Sequence, residues 1–86
     1  SLVQQSAAMN LINLVELKSN EDVLDVGCGA GNITRKIRKL TNGKVVGIDT
    51  SEGMIDRARI DNVGKNIVFD VVSAENMDYN DSFDVI

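Results

Sequence analysis

Aromatic side chains are scarce in this chain, at 3% of its residues. Whatever core it forms must therefore be mostly aliphatic. There is no histidine and no excess of positive charge; the net charge is −4. No basic face is available to displace phosphate counterions, which argues against nucleic acid as the main partner. The single cysteine, Cys28, cannot form an intramolecular disulfide, so a reducing compartment fits. No apolar run approaches the ~20 residues that span a bilayer. Residues 1–10 lack the basic and then apolar order of a secretory leader. A cytoplasmic protein with no membrane partner is the expectation.

What is present is ordinary for a globular domain: 43% hydrophobic and 26% charged residues. The chain has 86 residues, fewer than the ~100–150 of a typical domain, so one small core is all it can hold. Arg35, Lys36, Arg38 and Lys39 form its densest basic cluster and read as the solvated face of a helix.

Hydrophobic spacing divides the chain into alternating elements. Val3, Ala7, Leu11, Leu14 and Val15 recur at helical steps, which predicts a leading helix over 2–17. The run Val23-Leu24-Asp25-Val26 suits a buried parallel strand, which need not alternate. A glycine-rich turn follows over 27–31. A helix is predicted over 32–40, with Ile33, Ile37 and Leu40 inward, stopped by Asn42-Gly43 with the glycine left-handed. A second strand is predicted over 44–48 and closed by Asp49. Ser51 then caps a helix, with Glu52 at the positive end of its dipole. Met54, Ile55, Ala58 and Val63 are the expected inner face. A third strand (66–72), a polar loop (73–82) and the start of a fourth strand (83–86) complete the chain. Strands alternating with helices predict an α/β fold, a Rossmann-like parallel sheet with helices on both faces. The expected organisation is a leading helix plus a core over 21–86, the N-terminal part of a longer cofactor-binding domain cut within its fourth strand.

The informative stretch is Asp25-Val26-Gly27-Cys28-Gly29-Ala30-Gly31. Gly27 permits a sharp turn off the strand. Gly29 lets backbone approach a ligand closely, and Gly31 lets the next helix pack tightly and aim its free N–H groups at the ligand. A dinucleotide site wants G-x-G-x-x-G with a pyrophosphate at the helix start. Here the third glycine comes one residue early, and Asn32 stands where that pattern wants glycine. A carboxylate at position 25 would repel pyrophosphate and attract an ammonium. A P-loop is excluded, since no Gly-Lys-Ser/Thr follows. Asp49, ~20 residues past the glycines, sits where an acid can accept from ribose hydroxyls.

Each of these residues also has a plainer reading. Asp25 could cap the next helix, and Asp49 could be a strand-end turn former. Cys28 is a small residue in a tight loop; its place near a helix start would favour a thiolate, but no histidine exists to act as its base. Met54 reads as partly core. Gln4 and Gln5 read as a solvated face. Asp78, Asp81 and Asp84 have no metal-ligand spacing, and no metal site is expected.

VLDVGCGAGNITRKI followed by VVGIDTSEGMIDRAR resembles the first two motifs of the class I S-adenosylmethionine-dependent methyltransferases. SAENMDYNDSFDVI resembles their third segment. The resemblance implies that Asp25, Gly27, Cys28 and Gly29 surround the methionine part of S-adenosyl-L-methionine and that Asp49 holds its ribose. It implies further that Thr50, Ser51 and Met54 border ribose and adenine, and that Ser73 and Ala74 flank the adenine edge. Many members carry Asp where this chain has Ser73, so Ser73 or Glu75 would accept from the adenine amino group. The implied activity is methyl transfer to a small-molecule acceptor, with no catalytic residue assigned. An NAD-dependent oxidoreductase and a non-catalytic binding fragment stay open as alternatives.

Overall fold

The computed structural model describes residues 20–76. The expected leading helix over 2–17, with Gln4 and Gln5, and the expected fourth strand over 83–86 lie outside the described residues. Asp78, Asp81 and Asp84 lie outside them as well.

Three strands form one parallel sheet in the order β1-β2-β3: β1 (Val23–Val26), β2 (Val45–Asp49) and β3 (Val68–Val71). Helix α1 (Asn32–Arg38) joins the first pair of strands and α2 (Glu52–Asp61) the second. Asp25 pairs with Gly47, and Gly47 with Phe69, so the three stand in one row across the sheet. Side chains alternate along a strand, so this row and its neighbours Val23 and Val45 share one face.

Both helices pack on that face. Ile37 of α1 joins Val23 and Val45 in one cluster, with Ile33 and Ile67 packed against it. Ile55 and Ala58 of α2 join Cys28 and Phe69 in a second. The opposite face is closed too: Leu24, Val46 and Ile48 are buried, with Val26 and Val72 partly buried beside them. The largest fully buried side chains are Leu24, Ile37, Ile48, Ile55, Val23, Val45 and Thr34, aliphatic but for the last. Each such aliphatic side chain contributes about 1.5–3 kcal/mol.

Several boundaries differ from expectation for identifiable reasons. Helix α1 stops at Arg38, because the N–H groups of Lys39 and Leu40 bond only three residues back, to Lys36 and Ile37. The Arg38 guanidinium then ties down the carbonyls of Thr41 and Gly43, each at 2.6 Å. The buried stripe of α1 is consequently Thr34 and Ile37, and Leu40 is 42% exposed. Gly43 is not left-handed. A Cβ there would collide with the Glu21 carbonyl, so close approach is what requires glycine at that position.

In α2 the Ser51 cap, whose hydroxyl accepts from the Met54 N–H at 3.2 Å, sets the helix so that Ile55 and Ala58 face the sheet. Met54 lies one residue and ~100° earlier around the helix and is half exposed. Val63 falls beyond the C-cap Asn62 and is exposed. Strand β3 starts at Val68 because Asn66 has a φ of 59°, which is incompatible with a strand.

Gly47 carries the tightest packing of the sheet. A Cβ there would lie 2.9 Å from both Cys28 Sγ and Phe69 Cδ1. Gly47→Ala in the full-length protein is therefore expected to destabilise by about 1–3 kcal/mol. Phe69→Leu in the same chain should restore part of the loss. Thermal denaturation of the single and double variants checks both statements; an unshifted Gly47→Ala melt would contradict them.

Candidate nucleoside-binding site

The carboxyl ends of the three parallel strands meet at one edge of the sheet, where ligands gather in open α/β sheets. β1 delivers Asp25 and then the turn over 27–31. β2 delivers Asp49 and Thr50, and β3 leads through Val72 to Ser73 and a 3-10 turn, Ala74–Asn76.

The glycine turn is built to fold back over β2. The N–H groups of Gly27 and Cys28 both donate to the Ile48 carbonyl, at 2.7 and 2.9 Å. Gly29 has a φ of 57°, and a Cβ on it would meet nothing within 4 Å. The left-handed backbone favours glycine there, and the space beside it is open. Gly31, the N-cap of α1, is pressed from the other side: a Cβ would lie 2.9 Å from Phe69 Cζ and 3.0 Å from Asn62 Nδ2. It packs the turn against β3 and the end of α2.

Asp49 ties the turn to β2. Its Oδ2 accepts the Gly29 N–H at 2.8 Å, and its Oδ1 accepts the Ser51 N–H at 2.9 Å. Its carbonyl accepts the Val72 N–H at 3.0 Å, which joins the exit of β3 to the same point. One residue thus organises the glycine turn, the start of α2 and the end of β3. Each carboxylate oxygen has two lone pairs, so both retain capacity for a ligand hydroxyl.

Asp25 is 3% exposed, and its Oδ2 accepts the Thr34 hydroxyl at 2.7 Å. It does not cap α1, whose N-cap is Gly31 with no side-chain cap. Burial pushes the Asp25 carboxyl above its usual range. The Thr34 hydrogen bond opposes that rise, and the negative charge of Asp49 adds to it. Neither guanidinium of α1 compensates Asp25: Arg35 is engaged by Asn62 and Asn32, and Arg38 by the carbonyls of Asn66, Thr41 and Gly43.

Cys28 is buried in the same turn, and burial, then Asp25 and Asp49, push its thiol up to about 12. The helix start does not make it a thiolate. Its role is to be small where Gly47 and Phe69 crowd it. Thr50, Ser73 and Glu75 are exposed, and Met54 is half exposed on the first turn of α2. Ala74 opens the 3-10 turn, where the Asn76 N–H bonds the Ser73 carbonyl at 2.9 Å. No group of metal-ligating side chains occurs among the described residues.

Sequence reasoning missed four residues that shape this edge: Thr34, Gly47, Asn62 and Phe69. Thr34 had a usable signal, since it stands three residues before the inward Ile37 and so shares its stripe. Gly47 had one as well, as a glycine inside a strand, which marks close approach. Asn62 and Phe69 had none, because their contacts to Gly31 span the whole fold.

A parallel sheet with crossover helices and an acid at the tips of its first two strands is a Rossmann-like domain. A sequence profile described as a methyltransferase domain matches residues 17–86, and the chain belongs to that family. Malonyl-[acyl-carrier protein] O-methyltransferase of Acetivibrio thermocellus is 32% identical over 87 residues, covering 98% of this chain and 31% of the relative. The crystal structure of the YcgJ protein of Bacillus subtilis superposes with a TM-score of 0.73 at 27% identity, over 88% of this chain and 34% of that one. Phosphoethanolamine N-methyltransferase 1 of Haemonchus contortus, in complex with phosphoethanolamine and S-adenosylhomocysteine, superposes with a TM-score of 0.63 at 26% identity. That match covers 71% of this chain and 14% of the other. The chain thus spans about a third of the length of the curated relative, or 31%.

The raised carboxyl of Asp25 sets a direction for stability against pH. A carboxyl whose folded-state pKa lies above its unfolded value binds more protons when folded. Its contribution is fully present below the unfolded value of about 3.9 and is lost as pH rises through the raised folded value. Asp25→Asn can still accept from Thr34 and carries no charge. Its melting temperature is expected to fall less than that of the parent as pH is raised from about 4 to about 8. Parallel melting curves for both proteins would disprove the assignment of that burden to Asp25.

Proposed function

We propose that this chain forms the S-adenosyl-L-methionine-binding part of a methyltransferase acting on a small-molecule acceptor. The observation that carries the reading is the pair of strand-tip acids joined by the glycine turn: Asp25, buried with no cationic partner among the described residues, and Asp49, fastened to Gly29. A ligand bringing a positive charge to Asp25 and hydroxyls to Asp49 satisfies both. A pyrophosphate would place like charge beside a buried carboxylate. The open space at Gly29 provides the approach to the turn.

In this reading Asp25, Gly27, Cys28 and Gly29 face the methionine part. Asp49 accepts from the ribose hydroxyls. Thr50 and Met54 border the ribose and adenine, and Ser73, Ala74 and Glu75 lie along the adenine edge. The exposed edges of Met54, Ser73 and Glu75 are consistent with contact to a ligand. A sulfonium held there would supply an activated methyl group, which an acceptor nucleophile would take in line with the S–C bond as the neutral thioether leaves. The chain's own contribution is orientation: two carboxylates on adjacent rigid strands hold the two ends of the ligand, and proximity of this kind supplies much of a transfer rate. A small acceptor fits the net charge of −4. No helix among the described residues is long and apolar enough to cross a membrane, and a single buried thiol suits a reducing cytoplasm.

Calorimetry on the full-length protein tests the reading. S-adenosylhomocysteine should bind and NAD should not; binding of NAD alone would overturn it. Asp49→Ala should lower the affinity about tenfold or more, since a hydrogen bond to a charged group is worth about 1.5–3 kcal/mol. It should also lower the melting temperature, because the N–H groups of Gly29 and Ser51 lose their acceptor. Gly29→Asn, whose side chain tolerates a left-handed backbone, should keep the fold and block binding by filling the open space. Normal binding by that variant would refute the close-approach argument.

A further inference from the structure

Thr34 is a buried polar residue to which the motif assigns no task. It is 0% exposed, on the inward stripe of α1. Threonine is a mediocre helix former, and a hydroxyl at such a site must find a partner or cost stability. Its partner is Asp25 Oδ2, nine residues back along the chain, at 2.7 Å.

Among the described residues no cation competes with this hydroxyl for Asp25, and the hydroxyl also lies within hydrogen-bonding reach of Cys28. Asp25 stands opposite Gly47, which offers no side chain. Arg35 and Arg38 are engaged elsewhere, and Lys36 and Lys39 are exposed. Cys28, with its thiol pushed up to about 12, stays neutral across the physiological range. Asp49 adds only negative charge. Among the described residues, Thr34 is therefore the one side-chain donor to Asp25. One oxygen of the carboxylate is fixed by Thr34, and no other side chain among the described residues donates to the second.

We infer that Thr34 is a positioning residue for the charged amino-acid end of the cofactor, its hydroxyl anchoring Asp25 Oδ2 so that Oδ1 faces the ligand ammonium. The inference rests on the reading of the site given under the proposed function. The same hydroxyl favours the ionised carboxylate against the burial that opposes it. Thr34 thus sets both the direction and the charge of the group that meets the ligand.

The test compares two ligands on the full-length protein. S-adenosylhomocysteine carries the amino-acid tail, and 5′-deoxy-5′-methylthioadenosine lacks it. Thr34→Val keeps the shape and removes the hydroxyl. It should weaken S-adenosylhomocysteine about three- to tenfold at neutral pH and leave the tail-less ligand unchanged. The deficit should widen as pH falls from about 8 to about 6, because Asp25 without its donor takes up a proton more readily. Thr34→Ser should restore both the affinity and the pH profile. Equal weakening of both ligands, or no weakening of either, overturns the inference and leaves the cofactor reading standing. A parent protein that binds neither ligand overturns both. If Thr34→Val does not fold, Thr34→Ser decides alone: it must match the parent on both ligands, and a selective loss of S-adenosylhomocysteine sinks the assignment.

Discussion

A carboxylate removed from water at the tip of β1 is the constraint around which this structure is arranged. Taking such a group out of solvent costs several kcal/mol, and among the described residues the Thr34 hydroxyl is the side-chain donor that offsets it. The neighbouring acid, Asp49, makes the site more negative still, yet it is held differently, by two backbone N–H groups in a partly exposed position. The two acids are therefore unequal. Asp49 is satisfied by the fold and shapes it, whereas Asp25 has no cationic partner among the described residues. On the proposed reading that inequality bears on the choice of ligand more sharply than glycine spacing does, because it concerns the sign of the ligand's charge at one strand end.

The glycine turn is held by contacts from every side, which makes it a rigid receptor. Asp49 pulls Gly29 toward β2, the Ile48 carbonyl takes two N–H groups, and the Phe69 ring presses Gly31 and Gly47. Asn62 links the end of α2 to α1: its Nδ2 donates to the Ala58 carbonyl and its Oδ1 accepts from Arg35. Arg35 also donates to Asn32, at the start of α1. The turn thus rests on residues from β2, β3, α1 and α2, elements that come together only when the sheet has formed. Pre-organisation of this kind lowers the ordering cost of binding.

The order of elements and the acid–glycine–acid motif were legible in the sequence because they depend on local signals. A short apolar run, glycines in close succession and a Ser51 cap each act within a few residues. The inner faces of the helices were less legible. Leu40 and Val63 fit a helical period but lie past the points where Arg38 and Asn62 end their helices. Thr34 was overlooked because the buried acid it serves lies on another element. The proposed adenine edge carried the weakest local signal: Ser73, Ala74 and Glu75 follow a short strand, and the Ser73 and Glu75 side chains are exposed. Long-range packing, such as Phe69 on Gly31, has no signature in one sequence.

The relatives help to separate two functions that a methyltransferase must combine. One is named for malonyl-[acyl-carrier protein] and O-methylation, the other for phosphoethanolamine and N-methylation. Their acceptors share little chemistry. Yet each corresponds to this chain over only 31% and 14% of its own length. What the second of those stretches shares with this chain is its fold, at a TM-score of 0.63. Features common to enzymes with unlike acceptors are those a common methyl donor requires, since function resides in particular sites carried by a fold. On the proposed reading Asp25 and Asp49 serve the donor side of the reaction, and the identity of the acceptor has to be sought in residues other than the ones that make this turn.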